Sequence, residues 1–132
     1  MTRTTPTSVI AEAFADTLLS RPLFCDLLAQ APLNLERNVS LEQVRAFKLS
    51  THAEVEAVVG ELRRIRPSLT EEQSVEVIAT ATSMAGALWQ MCTPTAEVTE
   101  LYRSEPGLEL AVFDAAARLS RILEALLDGY LG

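Results

Sequence analysis

The sequence predicts an all-α domain of five to six helices. Three observations predict it. Strand signals are almost absent, apolar residues recur at helical spacing, and two capping boxes open two of the helices. The 132 residues suit one domain, 1–132, and 48% hydrophobic content is enough for a sizeable core and too apolar for disorder.

The elements follow in order. Thr5 and Thr7 flank Pro6, a start for the first helix, on which Ile10, Phe14, Thr17 and Leu18 share one face. Ser20 followed by Pro22 restarts a helix carrying Leu23, Phe24, Leu27 and Leu28, and Pro32 must kink or end it. "SLEQ" at Ser40 to Gln43 is the first capping box, and the helix behind it runs to about Ile65, where Pro67 stops it. "TEEQ" at Thr70 to Gln73 is the second, and its helix ends before Pro94. A short helix follows from Thr95, with Pro94 in its first turn. Pro106 and Gly107 break the chain, and the last helix is expected from about Leu108 to Leu131.

Composition excludes several functions. The net charge is -7, and the densest basic stretch, Arg63, Arg64 and Arg66, has Glu61 beside it. Duplex binding needs clustered cations to neutralise phosphates, and an anionic membrane asks for the same. No apolar stretch approaches the roughly 20 residues that span a bilayer, and "MTRTTPTSVI" has no apolar run that would make it a signal peptide. Cys25 and Cys92 stand far apart outside any CxxC motif, so they read as two reduced thiols in a cytoplasmic protein, without a metal or other cofactor.

The helix from Glu71 and the last helix are too apolar for a single buried stripe. On the first, Val75, Val77, Ile78, Ala81, Met84, Ala85, Leu88, Trp89 and Met91 cover most of the circumference. The second faces need another cover, and the simplest is the same pair from a second copy, a dimeric four-helix bundle. Ala81, Ala85, Gly86, Cys92, Val112, Ala116, Leu119, Leu123, Leu126 and Leu127 are the candidate interface. Extra apolarity within an internal core is the other reading, and the homodimer is preferred to it.

At "LSRPLFCDLLAQAPLNLERNVSLEQVRAFK", Leu19 to Lys48, the chain resembles the C-terminal ligand-binding and dimerisation domain of TetR-family transcriptional repressors. The pieces are the "RPLF" helix start, "LERNVS" leading into the central helix, "RAFK" within it, "LTEEQ", "GALWQMCTP" and the final "LLDGYLG". Members of that family begin with a helix-turn-helix head, and neither that head nor its basic residues are expected within these 132 residues. The resemblance implies a dimeric repressor, released by a small effector, that meets DNA only through that head. The chain as given is therefore not expected to bind an operator.

The resemblance places a pocket between the early helices, the central helix and the helix from Glu71. Lys48 and Thr51 interrupt the central stripe of Leu41, Val44, Val55, Val58, Leu62 and Ile65, with Phe47 beside it. Candidate ligand contacts are Phe14, Leu18, Phe24, Leu28, Phe47, Lys48, Thr51, His52, Val55, Met84, Leu88 and Trp89. His52 is also placed to pair with Glu56 one turn on. Trp89 and Met91 lie about 200° apart and cannot line one wall, so one face of that helix meets the partner and the other the interior. Cys25 and His52 are the only candidates for a nucleophile and its base, and neither has a motif around it, so an enzyme is not expected. The alternative to a regulator's effector domain is a stand-alone dimeric binding or sequestering protein without DNA activity.

Overall fold

A computed structural model describes residues 4–22, 24–25, 40–108 and 112–132. It is all-α. The helices are α1 (Thr7–Leu19), α2 (Leu41–Ile65), α3 (Glu71–Cys92), α4 (Ala96–Ser104) and α5 (Ala115–Leu131).

Local chemistry explains most of the boundaries. Pro6 is the N-cap of α1, extended at φ -60° and ψ 146°, and its ring fixes φ near that value at no further cost. Pro22, Phe24 and Cys25 are helical, so the chain restarts after Ser20 as expected. Leu23, Leu27, Leu28 and Pro32 lie outside the described residues. Both capping boxes form. The Gln43 amide donates to the Ser40 hydroxyl at 3.2 Å and Ser40's amide to the Gln43 side chain at 3.3 Å. The Thr70–Gln73 pair is tighter, at 3.0 Å both ways. Each box satisfies two donors that the first turn would otherwise leave open.

Two boundaries differ from expectation. Pro94 precedes the Thr95 cap of α4 rather than sitting in its first turn, and the Thr95 hydroxyl accepts from Val98 at 3.4 Å. The last helix begins at Ala115, not near Leu108. Asp114 is extended at φ -85° and ψ 111°, and its carboxylate accepts from the Ala117 amide at 3.1 Å. An aspartate is a strong N-cap, and its side chain takes the bond that an earlier helical turn would have made. Gly107 turns the chain before it with φ +97°, a conformation that costs other residues strain.

The core is one cluster built around α5, which packs against both α1 and α3, while α2 packs against α3. Leu119, Leu123 and Leu127, four residues apart on one face of α5, have no solvent exposure. They meet Ile10, Ala11 and Ala15 of α1 and Val77, Ala81, Ala85 and Leu88 of α3, with Cys25, Leu62 and Leu69 closing the cluster. Alanines at 11, 15, 81 and 85 keep the helices close to the leucine ridge. On α2 only Val59 and Leu62 are buried.

This core takes up part of the expected interface. Ala81, Ala85, Leu119, Leu123 and Leu127 are fully buried inside a single chain, and Gly86 is buried as well. Burying the apolar ridge of α5 needs only α1 and α3 of the same molecule, because α1 supplies a second cover that the apolar pattern of the last two helices did not reveal. Val112 is exposed, Ala116 and Leu126 are half-buried, and the Cys92 thiol donates to the Phe113 carbonyl at 3.2 Å.

Candidate functional site

A cavity of about 450 Å³ lies where α1 crosses the C-terminal third of α2 and the middle of α3. Its walls are almost wholly apolar. Helix α1 contributes Val9, Ile10, Ala13, Phe14, Thr17 and Leu18. Helix α2 contributes Val58, Glu61, Leu62 and Ile65, and α3 contributes Ile78 and Thr82. Thr5, just before α1, closes one side.

Helical spacing makes these walls. Ile10, Phe14 and Leu18 stand four residues apart, as do Val58 and Leu62, and Ile78 and Thr82, so each helix presents one stripe. A long-range contact fixes where the stripes meet. The Arg66 guanidinium, at the end of α2, donates to the Thr5 carbonyl at 2.9 Å. The Thr7 hydroxyl donates to Asp128 of α5 at 2.6 Å. The start of α1 is thereby tied to the ends of both α2 and α5, which brings α1 beside the last turns of α2.

The Thr82 hydroxyl and the Glu61 carboxylate of the walls are engaged within the chain. The Thr82 hydroxyl donates to the carbonyls of Ile78, at 3.0 Å, and Ala79, at 3.2 Å. Glu61 accepts from Arg64 through both carboxylate oxygens, and that guanidinium holds its carboxyl below the usual range. Among the described residues no buried side-chain nitrogen or oxygen lacks a hydrogen-bond partner.

A second hollow of about 590 Å³ lies between α2 and the start of α3, and it is more polar. His52, Val55, Glu56, Arg63, Arg64 and Glu71 are among its walls. The His52 ring stands 3.1 Å from Glu56, the pair expected one turn apart, and both side chains are exposed. Arg63 is turned away to donate to the Leu69 carbonyl at 3.1 Å. Arg64 at its edge turns to Glu61 instead.

Of the expected ligand contacts, Phe14 and Leu18 line the apolar cavity. Phe47, Lys48 and Thr51 are exposed on the first half of α2 and do not, and Phe24 is exposed as well. His52 and Val55 border the second hollow. Leu88 is buried in the core, with Met84 and Trp89 packed against it. Leu28 lies outside the described residues. The wall therefore sits two to three turns further along α2 than expected, because α1 meets the Leu62 end of the helix. Val9, Ala13, Ile78 and Thr82 were missed. Ile10, Thr17, Val58, Leu62 and Ile65 were legible as members of the right stripes, but not as a cavity.

The described residues contain no group of three or more His, Cys, Asp or Glu placed to hold a metal. Burial raises the Cys25 and Cys92 thiols above their ordinary range, which keeps them protonated rather than nucleophilic at neutral pH. No described helix is long and apolar enough to cross a membrane.

With Val9 and Val58 of its walls exposed, the cavity between α1, α2 and α3 is an open hollow lined almost wholly by apolar side chains. A family model described as "Tetracyclin repressor-like, C-terminal domain" matches residues 3–132. No curated protein matches the chain.

Proposed function

The chain belongs to the tetracycline-repressor-like C-terminal domain family, and from that premise we propose that it is the effector-binding and dimerisation module of a transcriptional regulator. In this reading the regulator is a repressor relieved by a small, mainly apolar ligand in the cytoplasm. The observation that carries it is the apolar cavity of about 450 Å³ between α1, α2 and α3. That volume falls in the range of pockets that bury small molecules, about 300–1,000 Å³. Its walls come from three helices and from Thr5, so a ligand there would touch the N-terminal segment directly. Contact with DNA belongs, in this reading, to a helix-turn-helix head of the kind that precedes such domains. Catalysis is no part of it.

The reading includes a homodimer through the open face of the α3–α5 pair. Ala87 and Met91 of α3 are exposed, and Ile122, Leu126 and Tyr130 of α5 are half-buried. The Tyr130 hydroxyl donates to Glu76, which sets these two stripes on one side of the pair. Leu126 is the expected interface residue that stays on this face.

A thermal-shift screen with uncharged, acidic and basic small molecules tests the ligand reading, since a ligand that binds only the folded state raises the melting temperature. The expected result is at least one compound that stabilises the chain and does not stabilise Ala13→Trp, in which an exposed wall residue fills the cavity. A screen with no hit sensitive to Ala13→Trp counts against it.

A further inference from the structure

Resting on the ligand reading above, we propose that the cavity selects an uncharged, hydrocarbon-rich molecule and discriminates against the carboxylate or ammonium of the same body. Three observations carry this. The polar wall groups whose bonds are visible face their own chain. Thr82 bonds back into α3, Glu61 is held by Arg64, and the Thr5 carbonyl is held by Arg66. Among the described residues no buried polar side-chain atom waits for a partner. The charges nearest the walls, Glu61, Arg64 and Arg66, each hold a partner within the chain.

The consequences differ for each kind of head group. An anion would meet the Glu61 carboxylate, and the nearest guanidiniums, Arg64 and Arg66, already hold Glu61 and the Thr5 carbonyl. A cation would share the Glu61 carboxylate with the Arg64 guanidinium, a like charge held against it. An ion left unpaired among apolar walls is strongly disfavoured. A neutral molecule disturbs neither pair and gains from the apolar area it covers. With walls almost wholly apolar, shape and length set most of its fit.

Calorimetric titration of the chain with 1-decanol, decanoate and decylammonium tests this. Each is used below its aggregation concentration at about pH 7, where the acid and the amine are both charged. Decanol is expected to bind at least about tenfold tighter than either ion. Glu97→Gln, exposed on α4 away from the walls, is expected to leave its affinity within about twofold, and Ala13→Trp to abolish binding. Equal or tighter binding of decanoate would overturn the proposal, with Arg66 then serving the ligand. Equal or tighter binding of decylammonium would overturn it in favour of Glu61. A loss of about tenfold in decanol affinity in Thr82→Val, which keeps the shape of the wall and removes only the hydroxyl, would overturn it too, because the hydroxyl would then be a ligand contact. If none of the three binds, the proposal fails. In that case a charged hit in the thermal-shift screen leaves the ligand reading standing, and an empty screen removes both.

Discussion

The thiol of Cys25 is fully buried and donates to the Leu18 carbonyl at 3.0 Å. Burial raises its pKa, so the folded state binds this proton more tightly than the unfolded chain does. A raised folded value means stability that is complete below the unfolded pKa, about 8.5, and that is lost as pH rises through the folded one. Tyr130 adds to the same trend, since its bond to Glu76 also raises its pKa. The melting temperature should therefore fall with pH across about 8 to 11. Cys25→Ser keeps a donor and removes the titration, so its decline should be shallower than that of the wild type. Parallel curves would mean that this thiol does not contribute. Burial of Cys25 as a reduced thiol was legible in the sequence, whereas its carbonyl partner was not. The same holds for Leu119, Leu123 and Leu127. Their spacing marks a ridge that must be covered, and spacing cannot say whether the cover is α1 or a second chain.

Among the elements, the two capping boxes differ in what they anchor. Thr70 opens α3, whose first two turns already bury Ser74, Val77 and Ile78. Ser40 opens α2, whose first buried residue is Val59. Loss of a capping side chain costs about 0.5–2 kcal/mol. Thr70→Ala should lower global stability in denaturant by about 1 kcal/mol. Ser40→Ala should instead raise amide exchange in the first turns of α2, with a smaller global effect, because those turns can fray without opening the core. Equal global losses would show that the first half of α2 is as firmly docked as α3. Both caps could be read from four residues each, because a cap is local chemistry. The start of α5 was misread although Asp114 precedes three alanines, since the apolar residues Leu108, Leu110, Val112 and Phe113 continue the pattern of the helix behind them. The cavity was misplaced for a reason of length. Helix α1 has 13 residues and α2 has 25, about 20 Å against about 37 Å at 1.5 Å per residue. The shorter helix can cover only about half of the longer one, and the Arg66–Thr5 bond that chooses the half joins residues 61 apart in sequence.

For the whole molecule, the question is which apolar surface remains once one chain has folded. Leu119, Leu123 and Leu127 are used up by α1 and α3, so a dimer must form on what the pair leaves open: Ala87 and Met91 on α3, with Ile122, Leu126 and Tyr130 on α5. Met91 is 58% exposed, high for a large apolar side chain on an otherwise well-packed helix. A lasting homodimer buries on the order of 2,000 Å² in total, and small residues such as Ala87 and Gly129 would let two such faces approach closely. A carboxylate at the centre of that seam would be desolvated without a partner, which is strongly disfavoured. In the separated chain the same carboxylate would stand in water. Ala87→Glu should therefore convert a dimer to a monomer in sedimentation while leaving helical content near that of the wild type. Leu123→Glu, inside the core, should lose the fold along with any dimer. Ala53→Glu, an exposed change on α2, should leave the dimer alone. If Ala87→Glu sediments as the wild type does, the open face of α3 and α5 is not the seam. A monomeric wild type at micromolar concentration would remove the dimer itself, and the half-exposed residues of α5 would then be ordinary surface.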